Sequence, residues 1–132
     1  MKFTAHLAFG IFTGLLVYYL TNNFTAAMIV FLGQIILVLD FIFKKIIMFE
    51  PGHSLLAMFG IWAISLLFLP AYHWFVLFAY FSHLFLDLFV EEEIPLLYPS
   101  KKKLTYPIEH SELFVIVISV AGSIVLAALI MA

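Results

Sequence analysis

The stretch Ala71–Val90, AYHWFVLFAYFSHLFLDLFV, decides the fold. Pro70 bounds it on one side and Glu91-Glu92-Glu93 on the other. Its length matches the roughly 20 residues a helix needs to cross a bilayer. Strands of a membrane β-barrel run near 10 residues with alternating polarity, and this stretch is too long and too uniformly apolar for that. It also carries His83 and Asp87, at i and i+4, which places both on one helix face.

Similar stretches lie on either side. The first runs about Phe3–Leu20 and is broken by Thr21-Asn22-Asn23. The second runs about Phe24–Phe43 and stops at Lys44-Lys45. A short segment ending in Pro51-Gly52 leads to the third, about His53–Leu69, the shortest of the set. After the fourth, Ala71–Val90, a loop with Pro95, Pro99 and Pro107 precedes the fifth, about Glu109–Met131. The expected fold is all-α: a single polytopic transmembrane bundle of about five helices over residues 1–132. The first stretch lacks a clear small-x-small cleavage site, so it reads as a retained helix rather than a signal peptide.

Composition agrees. Of the 132 residues, 66% are hydrophobic and 11% charged, against about 45–50% and 25% in soluble domains. Mean hydropathy is +1.20. Cysteine is absent, which excludes disulfides, zinc fingers and thiol nucleophiles. A net charge of −2 gives no polyanion-binding signature, so nucleic acid is not an expected partner. The bilayer is.

Orientation follows from the lysines. Lys2, Lys44, Lys45, Lys101, Lys102 and Lys103 all fall on one side of a five-span bundle. The N-terminus and both long loops are therefore expected in the cytoplasm, with the C-terminus outside. Tyr18, Tyr19, Tyr72 and Trp74 form an aromatic belt at the other interface.

Ionisable residues inside a membrane are costly and are functional by default. Here they are one-sided. His6 lies about one turn into the first helix and Asp40 about one turn before the end of the second. His53 opens the third, and His83 and Asp87 close the fourth. Glu109, His110 and Glu112 open the fifth. Although successive helices alternate in direction, these residues all reach one membrane depth. Neutral imidazole and carboxylate are the usual ligands of zinc and similar ions, and bundles build metal sites from facing helices. Coordination also compensates buried carboxylates. The expected metal ligands are His6, Asp40, His53, His83 and Asp87. The cofactor is one or two divalent ions, zinc first and manganese as the alternative. Glu112, then Glu109, is the candidate general base or extra ligand. The competing reading of the same residues is a hydrogen-bonded network at a wet interface.

Several segments resemble the YdjM-like family of membrane-bound metal-dependent hydrolases. Thr4-Ala5-His6 resembles its N-terminal histidine, and Asp40 the first Asp of an Asp-x-Asp element. Gly52-His53-Ser54-Leu55-Leu56 resembles the end of its Arg-Gly-x-Thr-His-Ser motif. Ser82-His83-Leu84-Phe85-Leu86-Asp87 resembles its Ser-His-x-x-x-Asp helix. Ile94-Pro95-Leu96-Leu97-Tyr98-Pro99 resembles its Pro-Leu-Leu-x-Pro loop, and Ser111-Glu112 its Gly-Ser-x-x-Glu element. The chain departs from the pattern at Ile42, where the second Asp would stand, at the residues before His53, and in the direct succession of Ser111 and Glu112. More distantly, the family resembles zinc-dependent phospholipase C and nucleases of similar helical fold. The resemblance implies an inner-membrane hydrolase of phosphoesters.

A site at headgroup depth, under the apolar loop residues Ile94, Leu96, Leu97 and Tyr98, makes a lipid phosphoester the natural substrate, with a small cytosolic phosphoester as the alternative. Lys101–Lys103 would lie near the mouth, although the positive-inside pattern already accounts for them. Two other functions are weighed. One is a non-catalytic scaffold with a structural or degenerate metal site. The other is a cation or proton transporter, which would need ionisable stations at the midplane, where only Gln34 comes close. Homo-oligomerisation is open, with no residue that specifies it. Blander readings apply elsewhere. Gly10 and Gly14 form a close-packing step and Gln34 is interhelical glue. Ser54 is a helix N-cap, and His73 beside Trp74 is interfacial.

Overall fold

The structure, a computed structural model, describes residues 3–38, 53–90, 96–97 and 111–132. These form five helices and no strand: α1 (Phe3–Thr21), α2 (Phe24–Val38), α3 (Leu55–Phe68), α4 (His73–Val90) and α5 (Ser111–Met131). The all-α expectation holds. Three of the helices, α1, α4 and α5, are long and apolar enough to cross a membrane, whereas α2 and α3, over their described residues, are shorter. The third helix is the shortest, as its sequence indicates, with 14 residues. Asp40, Glu109, His110, the six lysines, Glu91–Glu93, Ile94 and Tyr98 lie outside the described residues.

Local chemistry sets the boundaries. Asn22 adopts φ 51°, the left-handed conformation that closes α1, and its N–H donates to the Tyr18 carbonyl. Asn23 then caps α2: its Oδ1 accepts from the Ala26 N–H at 3.0 Å. Ser54 caps α3 through its hydroxyl oxygen, which accepts from the Ala57 N–H at 3.2 Å. Pro70 follows the last turn of α3 and cannot continue it.

Helix α1 packs against α2 on one side and α5 on the other. Helix α2 also meets α4, which in turn packs against α3. Lipid tails are as apolar as leucine, so helices in a membrane associate through close backbone approach rather than through exclusion of water. The glycines show it. A Cβ added at Gly10 would stand 3.1 Å from Gln34 Cβ, and one at Gly14 would stand 3.2 Å from Phe31 Cβ. The Gly10/Gly14 step is thus the α1–α2 contact face. Gly33 lets α2 approach α4 so closely that an added Cβ would lie 2.7 Å from Ala79 Cβ. Gly33→Ala is therefore expected to force α2 and α4 apart. We expect a loss of about 1–3 kcal/mol, typical of overpacking, read as a lower melting temperature in detergent. A melting temperature at or above wild type would refute the close contact.

The interior is inverted relative to a soluble core. Among the described residues, the largest fully buried side chains are His6, His83 and Gln34, while Leu67, Phe68 and Met131 are 80%, 77% and 81% exposed. Such outward apolar surface is stable only against lipid or a partner. The polar residues are held inside, where other protein atoms can satisfy them.

Candidate metal centre

Asp87 is the hub of the buried polar cluster. On α4 it lies one turn beyond His83, and neither side chain has any solvent exposure. His83 Nε2 stands 3.2 Å from Asp87 Oδ2. From the first turns of α1, His6 brings its Nε2 to 2.8 Å from Asp87 Oδ1, a buried hydrogen bond that joins residues 81 apart in sequence. His53, just ahead of the Ser54 cap, brings its Nε2 to 3.3 Å from Asp87 Oδ2. The cap fixes where the chain enters α3. A hydrogen bond from the Leu55 N–H to the Leu96 carbonyl, 3.0 Å, ties the 96–97 segment to the same point. Helices α1 and α4 and the residue just ahead of the α3 cap thus bring three imidazoles to one carboxylate.

The donor set fits a metal ion. Among the described residues, Asp87 Oδ2 and both ring nitrogens of His83 make no hydrogen bond, although all three atoms are buried. The contacts of Asp87 Oδ2 with His83 and His53 are therefore close approaches without hydrogen-bond geometry. Leaving a buried polar atom unsatisfied costs about 1–3 kcal/mol, and a cation shared by these atoms would remove that cost. Ligand atoms of His6, His83 and Asp87 all lie within 4.8 Å of one another. Two nitrogen or oxygen ligands of one tetrahedral zinc ion, each bonded at about 2.1 Å, lie about 3.4 Å apart, so the widest pair would close by about 1.4 Å on binding. The rings are not stacked flat: His6 and His83 are tilted by 45° with centroids 4.6 Å apart, and His53 and His83 by 50° at 5.5 Å. Imidazole nitrogen with carboxylate oxygen is the set that zinc and manganese accept.

Of the residues singled out from the sequence, the structure brings together His6, His53, His83 and Asp87. Asp40 and Glu109 lie outside the described residues. Glu112 is not in the three-residue ligand group. It sits in the first turn of α5, where its Oε1 accepts a hydrogen bond from Thr4 Oγ1 at 3.1 Å. Thr4 is within one turn of His6, so Glu112 enters near the level of the cluster. His73 is remote: it begins α4, 14 residues and about 21 Å of helix before Asp87. Its Nδ1–H donates to the Pro70 carbonyl at 2.6 Å, and its ring is 5.0 Å from that of Trp74.

Two supporting contacts were not legible beforehand. One is the Thr4–Glu112 bond, because the Thr4-Ala5-His6 segment drew notice only for its histidine. The other is the manner in which Gln34 acts as glue. Its Nε2 donates to the Ala79 carbonyl at 3.1 Å and to Ser82 Oγ, while Ser82 Oγ donates to the same carbonyl at 3.0 Å. This clamp locks α2 to α4 at the residue before His83, which fixes the rotation of α4 and hence the face that His83 and Asp87 present.

The family model described as YdjM inner membrane protein matches residues 1–132. No curated protein and no solved structure matches the chain.

Proposed function

This chain belongs to the YdjM inner membrane protein family, and we propose that it is a membrane-embedded metal-dependent hydrolase whose substrate is a phosphoester of the phospholipid-headgroup type. The observation that carries this reading is the convergence of three histidines, from three different helical elements, on one fully buried carboxylate. Burying a carboxylate in a bilayer protein is expensive. A purely structural role would be served at lower cost by an apolar side chain.

Asp87, His6 and His83 would hold a divalent ion, zinc or manganese, with His53 as a further ligand. When bound, the ion supplies Lewis acidity toward a phosphoryl oxygen and makes water more acidic. The remaining tasks fall to the protein. Asp87 offsets positive charge at the site and orients the His6 ring through their 2.8 Å contact. Glu112, tethered to α1 by Thr4, is the group placed to accept the proton of an attacking water. Leu96, packed against Met58, Tyr80 and Leu84 beside His83, keeps the inner wall apolar and limits access by bulk water. A transport function is disfavoured by placement. Among the described residues, the only Asp, Glu or His outside this end of the bundle is His73.

Elemental analysis by mass spectrometry of detergent-purified protein tests the reading, with a His83→Ala/Asp87→Asn double variant beside it. One or two equivalents of zinc or manganese are expected in the wild type and none in the variant. No metal in either, after incubation with added ions, would reduce the cluster to a polar network. Metal without turnover on any phosphoester would leave a structural site on a membrane scaffold.

A further inference from the structure

A second feature lies on the other side of the α1–α4 contact. Ala5 and Leu86, the immediate neighbours of His6 and Asp87, pack together there with Phe9 and Phe89. Beyond them, between α1, α4 and α5, is a cavity of about 680 Å³, within the roughly 300–1,000 Å³ range of ligand sites. Its walls are almost wholly apolar: Phe9 and Phe12 from α1, Phe85 and Phe89 from α4, Phe114 and Ile118 from α5. The cavity also reaches Ser111 and Ser119. Ser111 marks the end where Glu112 bonds to Thr4. Ser119 lies eight residues deeper on α5, about 12 Å along the helix.

We infer that this cavity seats one acyl chain of a bilayer lipid, with the headgroup at the level of Ser111 and Glu112. Three observations fix the occupant. Its Ser111 and Ser119 lining residues are about 12 Å apart along α5, close to the ~15 Å of one hydrocarbon leaflet, half of a ~30 Å core. Its lip is continuous with the lipid-facing surface of an inner membrane protein, since Phe85, Phe114 and Ile118 are exposed large apolar side chains. Its Ser111 end adjoins the level of the candidate site, and beyond it the lining is aromatic and aliphatic except for Ser119. Two other interhelical grooves among the described residues do not share this arrangement. One of about 490 Å³ lies toward Tyr18 and Met131, at the opposite end of α1 from His6. One of about 300 Å³ between α2, α3 and α4 has no polar lining. The inference rests on the hydrolase reading only for the fate of the headgroup; the seating of the chain is independent of it.

The test is photolabelling in vesicles of phosphatidylethanolamine and phosphatidylglycerol doped with a phospholipid that carries a diazirine midway along one acyl chain. Adducts mapped by mass spectrometry are expected to concentrate on Phe9, Phe12 and Phe89, relative to the lipid-exposed Leu67, Phe68 and Val125. Ile118→Trp, at the exposed lip where the fold tolerates bulk, is expected to lower that enrichment about tenfold, the equivalent of about 1.4 kcal/mol. Labelling spread evenly over the exposed helices, or enrichment unmoved by Ile118→Trp, would overturn the inference. Enrichment in a protein that hydrolyses nothing would still support the acyl seat while removing the hydrolase. Hydrolysis without enrichment would sink the seat alone.

Discussion

Asp87→Asn is expected to strip the protein of stoichiometric metal, weakening affinity by more than the roughly 10–100-fold that loss of a mere supporting contact costs. The metal-free fold should lose only about 1 kcal/mol. The asymmetry follows from the geometry. Asn keeps an oxygen at the position that accepts from His6 at 2.8 Å, so that hydrogen bond survives. The anionic oxygen that stands 3.2 and 3.3 Å from two imidazoles is lost. A metal bound only by the folded state stabilises it by about 2.7 kcal/mol at 100 times its dissociation constant. Chelator should therefore lower the melting temperature of the wild type and leave that of Asp87→Asn unmoved. The network reading makes a different prediction. If the histidines were charged partners of Asp87, breaking a buried ion pair would cost about 3–5 kcal/mol whether or not chelator is present. Equal chelator sensitivity in the two proteins would defeat the metal assignment.

Much of this arrangement is legible in the residues themselves. The bundle follows from the length of its apolar runs. The one-sidedness of His6, His53, His83 and Asp87 is visible once alternate helices are reversed. The i, i+4 spacing of His83 and Asp87 fixes their shared face whatever the tertiary packing. Distances between helices are another matter. That His6 reaches Asp87 directly, while Glu112 reaches Thr4 instead, depends on how far α1 rotates against α4 and α5. That rotation is set by contacts such as Gly122 beneath the Phe12 ring, where the absence of a side chain is the signal. A glycine in an apolar helix announces close approach but does not name its partner. The Gln34 clamp has the same character: a buried amide demands a partner, and only the fold identifies it as Ser82 and the Ala79 carbonyl.

Glu112→Gln separates a catalytic carboxylate from a structural one. As the proton acceptor of the hydrolysis proposed above, Glu112 should contribute about 10²–10⁴-fold to turnover, the usual range for general acid–base groups. Gln retains an amide oxygen that can accept from Thr4 Oγ1, so the tether between α5 and α1 persists and the fold should be unaffected. Metal content should stay at the wild-type level, because Glu112 lies outside the group formed by His6, His83 and Asp87. The expected result is therefore a loss of kcat with metal retained, the converse of Asp87→Asn. If metal falls together with turnover, Glu112 is a ligand and the site is larger than the three-residue group. If neither changes, its carboxylate serves the N-terminus of α5, where the helix dipole favours an acid by about 0.3–1 kcal/mol. Thr4→Val refines the answer: it removes the donor but leaves the carboxylate, so a positioning role for the tether predicts a partial loss of kcat that Glu112→Gln does not add to multiplicatively.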